Sequence, residues 1–130
     1  MYRFSQRSID NLKSVDTRLI MLCKAVLEEF DFTVIEGHRS LEKQMEYFKK
    51  GTSRIDGVTK KGKHNYLPSL AVDCIPYKKG HNPFDSSKES DIMFNKMAEV
   101  FKRKAKELNI KLVWGGDWKT LVDKPHFELV

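Results

Sequence analysis

Cysteine is nearly absent from this chain: its 130 residues include only Cys23 and Cys74. Two cysteines cannot build the multi-disulfide framework of small secreted domains, nor a paired C-x-x-C metal knuckle. Both sit among apolar neighbours and read as buried free thiols of a reducing compartment. Proline is scarce, at four, and no apolar run approaches the length of a membrane span. The opening Met1-Tyr2-Arg3-Phe4-Ser5-Gln6-Arg7 has charges but no apolar stretch behind them. That argues against a secretory leader and for a product that stays in the cytoplasm where it is made. Helix-turn-helix and zinc-finger spacings are missing, as are H-E-x-x-H, internal repeats and linkers.

What remains is the composition of one soluble globular domain over residues 1–130, 40% apolar and 32% charged. Lys plus Arg is 24 against 18 for Asp plus Glu, a net charge of +6. An anionic partner suits that balance, whether nucleic acid, membrane surface or cell-wall polymer. The basic residues are scattered, and the charge does not choose among the three.

Helical spacing from Ser8 through Ile9, Leu12, Val15, Leu19, Leu22, Val26 and Phe30 predicts one long amphipathic helix. Its outer face carries both signs of charge, which favours a core-facing role over a membrane-surface one. Phe32–Glu36 predicts a strand closed by Gly37. Ser40 then caps a second helix that Gly51 stops, with Leu41, Met45 and Phe48 as its core face. Residues 51–63 and 76–90 predict exposed loops. A third helix starts near Glu89 and ends at Asn109, before a strand at Ile110–Trp114 and a turn at Gly115-Gly116-Asp117-Trp118. The expected fold is α+β: about three helices on a small antiparallel sheet with strands near 32–36, 70–75, 111–114 and 126–129.

Two stretches carry chemistry. Lys63–Asp73 contains His64 and Asp73, and Asp123–Val130 contains Asp123 and His126. Pro68 forbids a helix interior between His64 and Asp73. His64 therefore belongs to a loop, and Asp73 to the strand that follows. In His126-Phe127-Glu128-Leu129 a period of two puts His126 and Glu128 on one face and Phe127 and Leu129 on the core face. Singly, each polar residue has an ordinary reading as a loop histidine, a turn acid or a hydrogen-bonded core imidazole. Asp73 is the least comfortable of them, flanked by Ala71-Val72 and Cys74-Ile75, because a buried carboxylate needs a partner or a metal. Two imidazoles and a carboxylate are ligands that catalytic zinc takes, with a position left for water. His64, Asp73 and His126 can be those ligands, and Asp123 the base.

The order of these residues resembles the zinc peptidases that include D-alanyl-D-alanine carboxypeptidases, D-Ala-D-Ala dipeptidases and phage L-alanyl-D-glutamate endolysins. The family pattern of S-x-H, A-x-D and D/E-x-x-H is matched by Gly62-Lys63-His64, Ala71-Val72-Asp73 and Asp123-Lys124-Pro125-His126. The likeness extends to Gly37-His38-Arg39-Ser40, Gln44, Gly51-Thr52-Ser53 and Lys111–Trp118, and so spans nearly the whole chain. Gly62 replaces the usual Ser, and the loop from His64 to Asp73 is longer by about two residues than the commonest form. The resemblance implies a Hedgehog-like fold, bound Zn2+ and a monomeric phage endolysin. It implies peptidoglycan as partner, not nucleic acid or membrane, with action on the wall after release from the cytoplasm. It further implies Arg39 as the substrate grip and Asp123 as the general base. Glu128 either orients His126 or shapes the pocket, Gln44 either faces the site or is an ordinary helix residue, and Trp118 is expected to wall the cleft. His38 is left at the rim, and His81 is a weak further ligand candidate that solvent exposure explains better. Two rival readings remain: a D-Ala-D-Ala carboxypeptidase or dipeptidase, and a non-enzymatic cell-wall-binding module.

Overall fold

The structure, a computed structural model, describes residues 1–53, 56–57 and 61–130. Part of the loop expected over 51–63 lies outside the described residues. The elements run α1 (Gln6–Leu12), α2 (Thr17–Leu27), β1 (Phe32–Glu36), α3 (Leu41–Lys49), β2 (Ala71–Pro76), α4 (Lys88–Glu107), β3 (Leu112–Trp114) and β4 (His126–Leu129). The four strands form one antiparallel sheet in the order β1-β2-β4-β3, so the α+β class and all four strand positions hold.

The long first helix is in fact two. Ser5, not Ser8, caps α1, and Ser8 is fully buried with its hydroxyl accepting from the Val34 N–H at 2.9 Å. The chain then breaks at Ser14-Val15-Asp16. Ser14 and Asp16 offer the backbone competing hydrogen bonds, which is why such residues suit caps better than helix interiors. Asp16 caps α2. The freed backbone binds the loop that carries His64: Ser69 N–H donates to the Ser14 carbonyl at 2.8 Å, and Asp16 N–H to the Ser69 carbonyl at 2.9 Å. A continuous helix would have left that loop without an anchor.

One apolar core lies between the sheet and helices α2 and α4. Phe101 stacks on Phe127 at 4.0 Å between centroids, and Phe32 meets Phe101 edge-on at 5.3 Å. Phe127 and Leu129 are buried as expected, at 0% and 2% exposure. Burial of each such side chain is worth about 1.5–3 kcal/mol, which pins the register of β4 and hence the outward face that holds His126. Cys23 and Cys74 are buried free thiols in this core.

The second helix departs further from expectation. Leu41 and Phe48 are exposed, at 53% and 43%, while Gln44 is buried at 1%. Helix α3 turns its polar face inward because a polar site, not the apolar core, lies beneath it.

Candidate metal centre

Three strands bring one row of polar side chains together on the sheet face opposite the core. Asp73 on β2 is the register partner of His126 on β4 and of Glu36 on β1. A bulge between Val34 and Glu36 moves Glu36 off the face shared by Phe32 and Val34. His64 arrives from outside the sheet on a tight turn at Lys63–Asn65. Its carbonyl accepts from Arg39 N–H at 2.8 Å, and its Nδ1–H donates to the Gly37 carbonyl at 2.7 Å. The Asn65 side chain accepts from Gly62 N–H at 2.8 Å, bracing this turn where a Ser hydroxyl would otherwise stand. The peptide bond between Leu67 and Pro68 is cis.

The expected ligands meet. His64 Nε2 lies 3.1 Å and His126 Nδ1 3.3 Å from the same Asp73 oxygen, Oδ1. One ligand atom from each residue falls within 4.8 Å of the others. His126 Nε2 is 2.7 Å from Glu128 Oε1, which also lines the cavity over the cluster. Burial opposes charge on His126, but the hydrogen bonds to Asp73 and Glu128 outweigh it and raise its pKa to about 9. Burial likewise works against ionised Asp73, yet the hydrogen bonds from His126 and His64 hold its pKa well below the usual carboxylate range.

The donor set fits a metal cation. On both histidines the nitrogen turned away from Asp73 is held by an acceptor, which leaves His64 Nε2 and His126 Nδ1 directed at one point. The carboxylates of Asp73, Asp123 and Glu128 gather around that point, with Arg39 and Lys63 as the long basic side chains beside it.

A small cavity of about 130 Å3 opens over this point, lined by Arg39, Gln44, Trp118, Asp123 and Glu128 together with the two histidines. Arg39 pairs with Glu36 through Nε, donates from Nη1 to Gln44 Oε1 at 3.0 Å, and lies 3.6 Å from Asp73 Oδ2 through Nη2. Its guanidinium also rests over the Tyr47 ring at 4.7 Å. Gln44 lines the cavity, and its Nε2 donates to Ser53 Oγ at 2.9 Å. Trp118 is half-buried and walls the cleft, its ring 5.0 Å from that of His126. His38 is half-buried beside Gly37, and its Nδ1 has no hydrogen-bond partner among the described residues. His81 is not solvent-exposed as expected: its side chain is 13% exposed and its Nε2 bonds Ser90 Oγ at 2.7 Å, away from the centre.

Sequence reasoning missed Glu36, which binds Arg39, Lys43 at 3.0 Å and the Tyr47 hydroxyl at 3.3 Å. A period of two places Glu36 on the core face, and only the bulge corrects this. It placed Gly115 in a turn but missed the close approach made there. A Cβ there would meet the Asp123 carbonyl oxygen at 2.3 Å and His126 Cβ at 3.0 Å. Bare backbone lets Asp123 N–H donate to the Gly115 carbonyl at 3.0 Å, fixing the turn at Asp123. Among the described residues the Asp123 carboxylate has no hydrogen bond or ion pair of its own. Burial, then the charge of Asp73, raises its pKa.

A half-buried, unspent carboxylate next to two imidazoles and an aspartate is costly to fold around unless it acts. With the sheet and helices beneath, the class is a peptidase whose His64, Asp73 and His126 could hold a metal ion. The chain belongs to the phage L-alanyl-D-glutamate peptidase family, whose model matches residues 1–130. It is 28% identical over 124 residues to the L-alanyl-D-glutamate peptidase of Escherichia phage T5, covering 94% of this chain and 85% of that one. It is 29% identical over 110 residues to the peptidoglycan L-alanyl-D-glutamate endopeptidase CwlK of Bacillus subtilis, covering 77% and 61%. The crystal structure of the Serratia marcescens L-Ala D-Glu endopeptidase ChiX superposes with a TM-score of 0.80 at 32% identity, over 98% of this chain and 90% of the other. The vancomycin-resistance D,D-dipeptidase VanXYg shares the fold, with a TM-score of 0.50 at 17% identity over 88% and 48%. None of the described helices is long and apolar enough to cross a membrane.

Proposed function

We propose that residues 1–130 act as one zinc peptidase domain, a phage endolysin that cuts the L-alanyl-D-glutamyl bond of peptidoglycan stem peptides. His64, Asp73 and His126 would hold Zn2+. Bound there, the ion supplies Lewis acidity to the scissile carbonyl and acidifies a water. Asp123 takes the proton of the attacking water and hands it to the leaving amine. Arg39, in a fork already set by Glu36 and Gln44, grips a substrate carboxylate or the carbonyl oxygen as it gains charge. Glu128 keeps His126 in the tautomer whose Nδ1 is free to bind. Trp118 covers one side and keeps bulk water off.

The observation that carries this reading is Asp123, held by the Gly115 carbonyl beside the ligands yet, among the described residues, bonded to nothing through its own carboxylate. A cell-wall-binding module with structural zinc has no use for such a group. We expect Asp123→Asn to keep zinc, fold and wall binding, and to lose ~10²–10⁴-fold in rate. The measurement is clearance of purified walls, with mass spectrometry of the new amino termini. Appearance of D-glutamate termini supports the bond assigned, and free D-alanine would favour the carboxypeptidase alternative. Clearance by the Asn variant at the wild-type rate removes Asp123 from the mechanism.

A further inference from the structure

Two basic residues line the cavity over the metal ligands, and they stand in opposite situations. Arg39 has each of its three nitrogens engaged: Nε with Glu36, Nη1 with Gln44 Oε1 at 3.0 Å, and Nη2 near Asp73 Oδ2 at 3.6 Å. Two carboxylates already match its single charge, although the guanidinium keeps N–H groups that can still donate. Lys63 lines the same cavity between Gly62 and His64 and is half-buried. Its backbone is tied down, since its carbonyl accepts from Leu70 N–H at 3.0 Å. Among the described residues its ammonium makes no hydrogen bond or ion pair.

We infer that Lys63 is a specificity residue: it reads the free carboxylate of the glutamate on the amine side of the cleaved bond and leaves Arg39 to the carbonyl oxygen. The inference rests on the peptidase reading above. A glutamate joined to the chain through one carboxyl group keeps the other free, a few bonds from the nitrogen that departs. That nitrogen takes its proton from Asp123 and so lies within about 2.6–3.2 Å of it. The free carboxylate therefore enters a cavity already lined by Asp123 and Glu128. Another anion in so enclosed a space is repelled unless a cation meets it. In the proposed mechanism the metal faces the scissile carbonyl and the water, and the Arg39 charge is matched, which leaves Lys63. Its compact charge sits on a flexible four-carbon stem with three donors. Because the backbone of Lys63 is held by Leu70, the stem can swing to the carboxylate without moving His64.

Two measurements on the zinc-loaded protein test this. The first compares kcat/KM on two stem peptides that differ in one group, the free carboxylate of the glutamate or its carboxamide. The wild type should prefer the carboxylate. Lys63→Met should reduce that preference ~10–100-fold, mostly through KM, which is the range of one hydrogen bond to a charged group. Lys63→Arg keeps the charge and should restore most of the preference. An equal loss on both peptides, or an unchanged ratio, in a Met variant with wild-type zinc content and melt overturns the assignment. The second follows the ε-methylene NMR signal of Lys63 in wild-type protein as the amine-side product, a peptide with amino-terminal D-glutamate, is titrated in. A shift with this product and none with its carboxamide supports the role; the same shift with both, or none with either, overturns it. A wild type that cleaves neither peptides nor walls would instead sink the peptidase reading.

Discussion

The site has two walls built by different means. The sheet wall carries Asp73, His126 and Glu128 on β2 and β4, with positions fixed by backbone ladders and by the burial of Val72, Phe127 and Leu129 on the opposite face. The helix wall carries Arg39 and Gln44, fixed by side chains: Glu36, Ser53, Asn65 and the Tyr47 ring. Ladder geometry tolerates loss of a neighbour, whereas a web of side-chain bonds does not, because each deletion strands a buried partner. The sheet wall should therefore fail by losing chemistry while keeping its shape. The helix wall should lose shape and chemistry together.

The largest effect belongs to the sheet wall together with His64, which reaches it from the turn at Lys63–Asn65. His64→Ala, Asp73→Ala and His126→Ala should each abolish most zinc binding and all measurable lysis, while strand content by circular dichroism stays close to wild type. Full zinc by elemental analysis in all three variants would falsify the ligand set.

Next comes Arg39→Lys. The charge is kept but the fork is not, so contacts to Glu36, Gln44 and the Asp73 side cannot be made at once. Activity on a defined stem peptide should fall ~10²–10³-fold, the usual cost of one such donor. Zinc should remain, which separates this wall from the other. Kinetics equal to wild type would return Arg39 to a purely structural pairing with Glu36.

Gln44→Leu probes the web itself. The apolar side chain fits the buried space but leaves Arg39, Asn65 and Ser53 without an acceptor or donor they now use. A stability loss of about 1–3 kcal/mol is expected, the penalty of stranded buried polar groups, with a smaller loss of rate than in Arg39→Lys. A melt at the wild-type temperature would show that the helix wall is as tolerant as the sheet.

The two walls also differed in legibility. Period-two alternation identified Asp73, His126 and Glu128, because strand side chains alternate wherever one face is buried. The same rule misplaced Glu36, since nothing in Phe32-Thr33-Val34-Ile35-Glu36 announces a bulge. Helical spacing located α3 and its Ser40 cap but reversed its faces. Leu41, Met45 and Phe48 look like a core stripe, and only tertiary context reveals that the polar stripe faces a polar cavity. The break at Ser14–Asp16 was hidden by apolar spacing that ran on through it. Its cause, a loop seeking backbone partners, lies over fifty residues away at Ser69. The close approach at Gly115 requires knowing that Asp123 folds over it.

The smallest expected effect concerns Asp123 and bears on both walls, since it lies between them. Burial and the charge of Asp73 raise its pKa above the ordinary 3.8. The folded chain therefore holds this proton more tightly than the unfolded chain. Between 3.8 and the raised value, stability falls as pH rises, and above that window the full penalty persists. Asn carries no charge and escapes it. With the metal removed by chelator, Asp123→Asn should melt slightly above wild type at neutral pH, and the gap should close as pH drops below 3.8. Zinc loading should shrink the gap, because a nearby cation favours the carboxylate. A variant that melts below wild type at neutral pH would mean that the Asp123 carboxylate supports the fold, and that it is no more than a turn residue.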